Sequence, residues 1–228
     1  HEVLRRHLAP AAQLLADEGF SARICIDTAP VLERYWAVKG GIGFIGRNRQ
    51  LIVPGMGSYF FLAEIITSAE IEPDTPCALT CGNCGKCVEA CPGGALDAPD
   101  GFDATSCLSY LTIEHRGELP AATGKGCKSR PIAEALGNRV YGCDECQRVC
   151  PHNADPPVTG IAEFRMRPAL RGITRAGILD MTQQQFSTIF SHSAVKRAKL
   201  AGLQRNAAAT TPSPAQSGPE GYEREDVK

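Results

Sequence analysis

The sequence has almost no net charge: Lys and Arg balance Asp and Glu to −1 over 228 residues. A chain this close to neutral does not bind polyanions by bulk charge, so any nucleic-acid partner must be met by a local basic patch. It has no run of 18 or more apolar residues, and no membrane-spanning helix is read from it. No secretory leader pattern opens it either. The first residue is His1 rather than Met, inside a stretch of helical pattern, and the expectation is a fragment whose N-terminal part is missing. Against these absences stand two abundances. Apolar residues make up 43% of the chain, enough for a packed core in one medium domain or two small ones. There are also eleven cysteines.

Periodicity places the elements coarsely. Residues 2–19 read as an amphipathic helix, with Leu4, Leu8, Ala11, Ala12 and Leu15 on one face. Residues 23–26 are a strand candidate, broken by Asp27-Thr28-Ala29-Pro30, and Pro30 suits the first turn of a helix through Val38. A glycine-rich loop covers 39–46. Residues 50–53 and 58–66 read as strands joined by a Pro54-Gly55 turn. Residues 158–175 look extended, and 180–208 read as two short helices. From about Thr210 the chain is polar without apolar periodicity and is expected to be disordered.

Most of the cysteines sit two or three residues apart, which suits metal ligation better than internal disulfides and fits a reducing cytoplasm. Cys81-x2-Cys84-x2-Cys87-x3-Cys91-Pro92 is the bacterial ferredoxin spacing. Three thiolates two residues apart wrap one cubane, and the fourth, ahead of proline, serves the other cluster. Cys143-x2-Cys146-x3-Cys150-Pro151 repeats the pattern in part and lacks one ligand, for which upstream Cys107 is the candidate. The assignment is therefore crossed: Cys81, Cys84, Cys87 and Cys150 on one 4Fe–4S cluster, and Cys91, Cys107, Cys143 and Cys146 on the other. Zinc on two CxxC pairs is the competing reading, but it does not require the CxxCxxCxxxCP run. Cys25, Cys77 and Cys127 are left over. Cys25 reads as a buried thiol, and Cys77 as a possible exchange partner for Cys81. Gly41-x-Gly43-x-x-Gly46 matches the dinucleotide fingerprint, but a helix precedes it and a strand follows, the reverse of what that fingerprint needs. Those glycines still call for positive φ or a close backbone approach.

Longer stretches carry a resemblance. Cys107-Leu-Ser-Tyr-Leu-Thr-Ile-Glu114, the run Gly137-Asn-Arg-Val-Tyr-Gly-Cys143 through Pro151, Asp27-Thr-Ala-Pro30 with Glu33-Arg34, the 41–48 loop, Ser58-Tyr-Phe-Phe-Leu62, and Ser193-Ala-Val-Lys-Arg-Ala-Lys with Gly202-Leu-Gln-Arg-Asn206 together resemble epoxyqueuosine reductases over residues 22–208. The chain departs from that family at Phe44 and Arg47, where Trp and Lys are usual, at Pro92–Leu96, and at His152, where Trp is usual.

The resemblance implies an α+β chain. Residues 1–75 would be the remnant of an α/β cobalamin-binding domain, and 76–157 a two-cluster ferredoxin-like domain. A helical basic region at 158–208 and a disordered tail at 209–228 would follow. It further implies reduction of epoxyqueuosine to queuosine in the tRNA wobble position, using cobalamin and two 4Fe–4S clusters. The implied setting is a monomer in the cytoplasm, fed by an external electron donor. Asp27, at a strand end, matches the family's proton donor; without the resemblance it would read as a turn aspartate. Cobalamin contacts are implied for Asp27, Asn48, Leu51, Ser58, Leu62, Ser109, Tyr110, Glu114 and Asp144. For tRNA, His115, Arg116, Lys196, Arg197 and Lys199 are the candidates. Residues 165–205 hold eight Lys or Arg against Asp180 alone, a footprint for phosphate contact or simply a solvated charged face. The alternatives are a ferredoxin-like electron-transfer module, which would leave 20–66 and the basic helices idle, and a reductive dehalogenase-like enzyme.

Overall fold

A computed structural model describes residues 1–98, 101–124 and 129–211. Contacts divide the chain into two compact units, each assembled from two stretches: His1–Ala90 with Glu145–Arg165, and Cys91–Asp144 with Met166–Lys228. These divisions do not follow the expected boundaries at 75 and 157. The cysteine region is shared between the two units.

In the first unit, α1 (Glu2–Asp17) half-buries Leu4, Leu8, Ala12 and Leu15, while Ala11 is exposed. β1 (Ala22–Cys25) pairs antiparallel with β4 (Glu64–Thr67), setting Cys25 opposite Glu64. α2 (Glu33–Lys39) begins later than the Pro30 signal suggests. The Val31 N–H bonds to the Ala29 carbonyl at 2.8 Å, and this tight turn keeps Pro30 out of the helix. β2 (Phe44–Ile45) and β3 (Leu51–Ile52) form a hairpin closed by the Gly46 N–H on the Gln50 carbonyl. Thus β3 pairs with the glycine segment and not with 58–66, of which only the end becomes strand. Ser58 cannot extend a ladder because its N–H is taken by Asn153 Oδ1 at 2.7 Å.

The hairpin also explains the glycine motif. A Cβ on Gly43 would stand 2.1 Å from the Ile52 carbonyl oxygen, and one on Gly46 would stand 2.5 Å from Ile52 Cδ1 and 2.7 Å from Asn48 Oδ1. The close approach is to the chain's own second strand, not to a nucleotide. α3 (Lys86–Ala90) and α6 (Glu145–Arg148) pack on each other within this unit.

The second unit is built on α9 (Lys199–Ala209), which packs against α4 (Leu108–Ile113), α5 (Ile132–Leu136) and α7 (Arg175–Leu179). A short hairpin of β5 (Ala122–Thr123) and β6 (Arg130–Pro131) leads into α5. Leu108, Leu111, Ala135 and Leu136 form one apolar cluster. Ile178, Met181, Phe186, Phe190, Leu203 and Ala207 form another, partly on α8 (Gln183–Ile189). Full burial of each leucine here contributes roughly 1.5–3 kcal/mol. Thr182 and Gln185 close a reciprocal capping box at the start of α8, worth about 1 kcal/mol.

Lys196, Arg197 and Lys199 do not open a single helix. Ala194–Ala198 is a 3-10 turn, and Lys199 starts α9 with a positive φ of 61°. α9 runs to Ala209, and buried Thr210 donates its hydroxyl to the Ala207 carbonyl, so order reaches past residue 208. The expected tail from 212 on, and Cys127, lie outside the described residues.

Candidate metal centre

Local sequence explains how the first ligand set is presented. Cys81 and Cys84 lie on the turn that enters α3 and Cys87 in its first turn, and the Cys84 N–H bonds back to the Cys81 carbonyl. Cys150 follows α6, directly before Pro151, and α6 packs on α3. The four cysteines line one cavity, together with Arg47, Asn48, Ile52, Lys86, Pro151 and His152. The Arg47 backbone N–H donates to Cys81 Sγ at 3.4 Å. Burial pushes the Cys87 thiol up, and neighbouring Cys81 and Cys150 add to that rise, partly offset by backbone hydrogen bonds. Phe44 and His152 meet edge to face with centroids 5.5 Å apart. Among the described residues, no three Cys, His, Asp or Glu groups converge on a single ion site. A cubane asks for something else, four thiolates around a cavity with each on its own iron, and this donor set fits it.

Three of the other four expected ligands belong to the second unit. Cys107 stands at the N-cap of α4. The segment after Cys91 is tied to the segment before Cys107 by the Thr123 hydroxyl, which reaches the carbonyls of Gly93 at 3.3 Å and Ser106 at 3.1 Å. Cys143 packs on the Leu108–Leu136 cluster, and the Gly142 N–H before it donates to Thr112 Oγ1 at 2.9 Å. Cys146 lies in α6 of the first unit. Cys25 is 4% exposed in β1, the expected buried thiol. Cys77 does not line the cysteine cavity.

Asp27 is exposed just past β1 at a positive φ of 51°. Its carboxylate lies 3.2 Å from His1 Nε2, and its N–H donates to Glu33 Oε1 at 2.8 Å. The residues expected at cobalamin are of two kinds. Asp27, Tyr110 and Asp144 are exposed and Leu62 and Ser109 half-buried. Leu51 is core, 2% exposed in β3. Ser58 is buried, donating to Gln147 Oε1 and accepting from Asn153 Nδ2, both at 2.9 Å. Side-chain contact with a bound cofactor therefore suits the first group and not Leu51 or Ser58. Asn48 is 3% exposed and faces the cysteine cavity. Glu114 forms an ion pair with Arg197.

The basic segment is only partly a surface. Arg175 bonds to the last carbonyls of α9, at Ala207 and Ala208, where the helix dipole favours a cation. Arg167 holds the Ser191 carbonyl. Arg205 binds the carbonyls of Leu111, His115 and Gly117, and burial, with the Arg116 guanidinium, lowers its pKa from the ordinary value. Arg116 reaches Ile113 and Arg197 carbonyls, and His115 the Glu118 carbonyl. Arg171, Lys196 and Lys199 are exposed.

Residues 80–153 match a family described as a 4Fe-4S double cluster binding domain. Curated epoxyqueuosine reductases match nearly the whole chain. The one from Burkholderia pseudomallei is 38% identical over 220 residues, 91% of this chain and 51% of its own. The Gloeobacter violaceus protein is 39% identical, covering 91% of this chain and 64% of its own. The chain is similar to epoxyqueuosine reductases over about nine-tenths of its length. Solved epoxyqueuosine reductases agree. One, crystallised with an epoxyqueuosine-modified tRNA-Tyr stem loop, aligns at TM-score 0.81 and 34% identity over 92% of this chain and 53% of its own. Another, from Bacillus subtilis with its catalytic loop swung out of the active site, aligns at TM-score 0.79 and 33% identity. The chain spans about half to two thirds of the length of the family members it matches.

Sequence reasoning missed the polar residues that hold the cysteine motifs in place. Asn153 clamps the Ser58 backbone, Thr123 ties the Cys91 and Cys107 segments, and Thr112 anchors the residue before Cys143. Their proximity to cysteines was the one available signal.

Proposed function

We propose that this chain is the cluster-bearing part of an enzyme that reduces epoxyqueuosine to queuosine at the wobble position of tRNA, the last step of queuosine biosynthesis. The observation that carries this reading is the cysteine-lined cavity within a chain 34–39% identical to epoxyqueuosine reductases over about nine-tenths of its length. One cluster is held by Cys81, Cys84, Cys87 and Cys150. The other takes Cys91, Cys107, Cys143 and Cys146, an assignment that rests on ligand spacing.

Converting an epoxide to an alkene consumes two electrons and two protons and releases the oxygen as water. Two clusters held by these eight cysteines would supply one-electron transfer from an external donor. Cobalamin, when bound, supplies the low-valent metal chemistry at carbon or oxygen that a cubane lacks. This chain's residues supply the remainder. Asp27 gives a proton from its carboxyl group. Its left-handed backbone is held by Glu33 on its N–H, the kind of local strain that collects at functional sites. Asp27, Leu62, Ser109, Tyr110 and Asp144 are proposed cofactor contacts through side chains, and Asn48, Leu51 and Ser58 through their backbones. Lys196 and Lys199, with His115, Arg116 and Arg197 beside them in the family pattern, face the tRNA anticodon loop. The protein works as a cytoplasmic monomer.

The test is single-turnover conversion of epoxyqueuosine in a tRNA stem loop by the anaerobically reconstituted protein with cobalamin supplied. Asp27→Asn is expected to keep iron content and tRNA affinity and to lose conversion by a factor on the order of 10²–10⁴. Full conversion by that variant removes Asp27 from the acid role. Iron-replete protein that neither binds nor converts the tRNA favours an electron-transfer module.

A further inference from the structure

The first ligand cavity is lined by a residue, Asn48, whose side-chain hydrogen bonding is incomplete among the described residues. Asn48 is 3% exposed. Its Oδ1 accepts the Gln50 N–H at 3.2 Å, which fixes which end of the amide is oxygen. Its Nδ2 is buried and without a hydrogen-bond partner among the described residues. Asn48 is also among the residues that line the cavity shared by Cys81, Cys84, Cys87 and Cys150. Leaving a buried amide N–H₂ unpaired costs about 1–3 kcal/mol, and native proteins rarely leave one so. A cubane in the cavity would bring sulfur acceptors to it. The fold also invests in the placement: Gly46 has no Cβ because one would strike Asn48 Oδ1 at 2.7 Å and Ile52 Cδ1 at 2.5 Å.

We propose that Asn48 donates a side-chain hydrogen bond to a sulfur of the Cys81/Cys84/Cys87/Cys150 cluster and, with the Arg47 backbone N–H on Cys81, raises that cluster's reduction potential. This rests on the cluster assignment above. Reduction adds one negative charge to a cluster already anionic. A donor aimed at its sulfurs stabilises the reduced form more than the oxidised one, which is how hydrogen bonds to sulfur tune such potentials. Arg47 and Lys86, which also line the cavity, act in the same direction. Asn48 is thus a positioning and tuning residue for electron delivery, and it does not touch the substrate.

The experiment is an EPR-monitored redox titration of the reconstituted protein and of two variants. Asn48→Leu removes the donor at similar volume. Asn48→Ser keeps an oxygen for the Gln50 N–H but withdraws the donor from the cavity. With iron content unchanged, one of the two midpoint potentials is expected to fall by at least a tenfold change in the reduction equilibrium, about 59 mV for one electron, while the other stays. Unmoved potentials in both variants at full iron content overturn the proposal and leave the cluster assignment intact. Should both variants lose iron, the wild-type protein decides. With ¹⁵N in asparagine side-chain amides and an Asn83→Ala background, pulsed EPR of the reduced cluster is expected to show a weakly coupled ¹⁵N. Its absence overturns the proposal. A wild-type protein that takes up no iron overturns the cluster assignment itself, and this proposal with it.

Discussion

Asn206 and Asn48 are both buried asparagines, one in each unit, and their surroundings are opposite. Asn206 is 0% exposed, and its amide is fully used. Nδ2 donates to the carbonyls of Thr112 at 2.8 Å and Val140 at 2.9 Å, and Oδ1 accepts from Arg205. Asn48 is almost as buried, yet its nitrogen meets no acceptor among the described residues. The contrast extends to their neighbours. In the second unit Arg205, Thr112 and Asn206 knit α4 and α9 into a network closed within the protein, as a structural core requires. In the first unit the hairpin around Asn48 ends on a cavity edged by thiols. The closed network is scaffold, and the open one is where the proposed cluster bond falls.

Substitutions at these sites separate the two surroundings. The largest effect is on metal: Cys87→Ala should halve the iron, from about eight to about four per chain by elemental analysis, while Cys77→Ala should leave it unchanged. Asn206→Ala should destabilise the protein by roughly 2–4 kcal/mol in anaerobic urea unfolding, because it strands the Thr112 and Val140 carbonyls and leaves Arg205 Nε without its acceptor. Asn48→Ser should cost about 1 kcal/mol or less in protein lacking iron, and equal losses at the two sites would erase the distinction.

Next comes the basic segment. Changing Lys196 and Lys199 together to Ala should lower the slope of log affinity for tRNA against log salt by about 0.7–0.9 per residue removed. Arg205→Ala should instead reduce stability. The smallest effect is Glu64. Burial first, and Glu33 second, hold its carboxyl above the ordinary carboxylate range. A raised folded-state value means the native protein binds the proton more tightly, so stability falls as pH rises from the ordinary value through the raised one. Glu64→Gln is therefore expected to raise the unfolding midpoint at pH 7 and to leave it nearly unchanged at pH 4.

The parts of this fold that were legible in the sequence are those whose signal is local. The cysteine runs are spaced by the cluster they surround, so Cys81 through Cys150 could be picked out without a fold. Leu4, Leu8 and Leu15 repeat with the helical period and lie on one partly covered face of α1. Pairing was not legible. Alternation marks a strand but not its partner, and β3 took Phe44–Ile45 where Ser58 onward was expected. The basic count misled for a related reason. Arg167, Arg175 and Arg205 look like phosphate ligands in a composition window, yet carbonyls occupy them. The amide environments of Asn48 and Asn206 depend on residues far along the chain, and nothing next to either distinguishes them.

On the proposed reading, eight cysteines hold two cubanes, one of them in the cavity beside Asn48. The most direct measurement is iron, sulfide and zinc per chain after anaerobic reconstitution, read together with EPR of the reduced protein. About eight irons with matching sulfide and two interacting paramagnetic clusters are expected. Zinc in their place, with no EPR signal on reduction, would contradict the account.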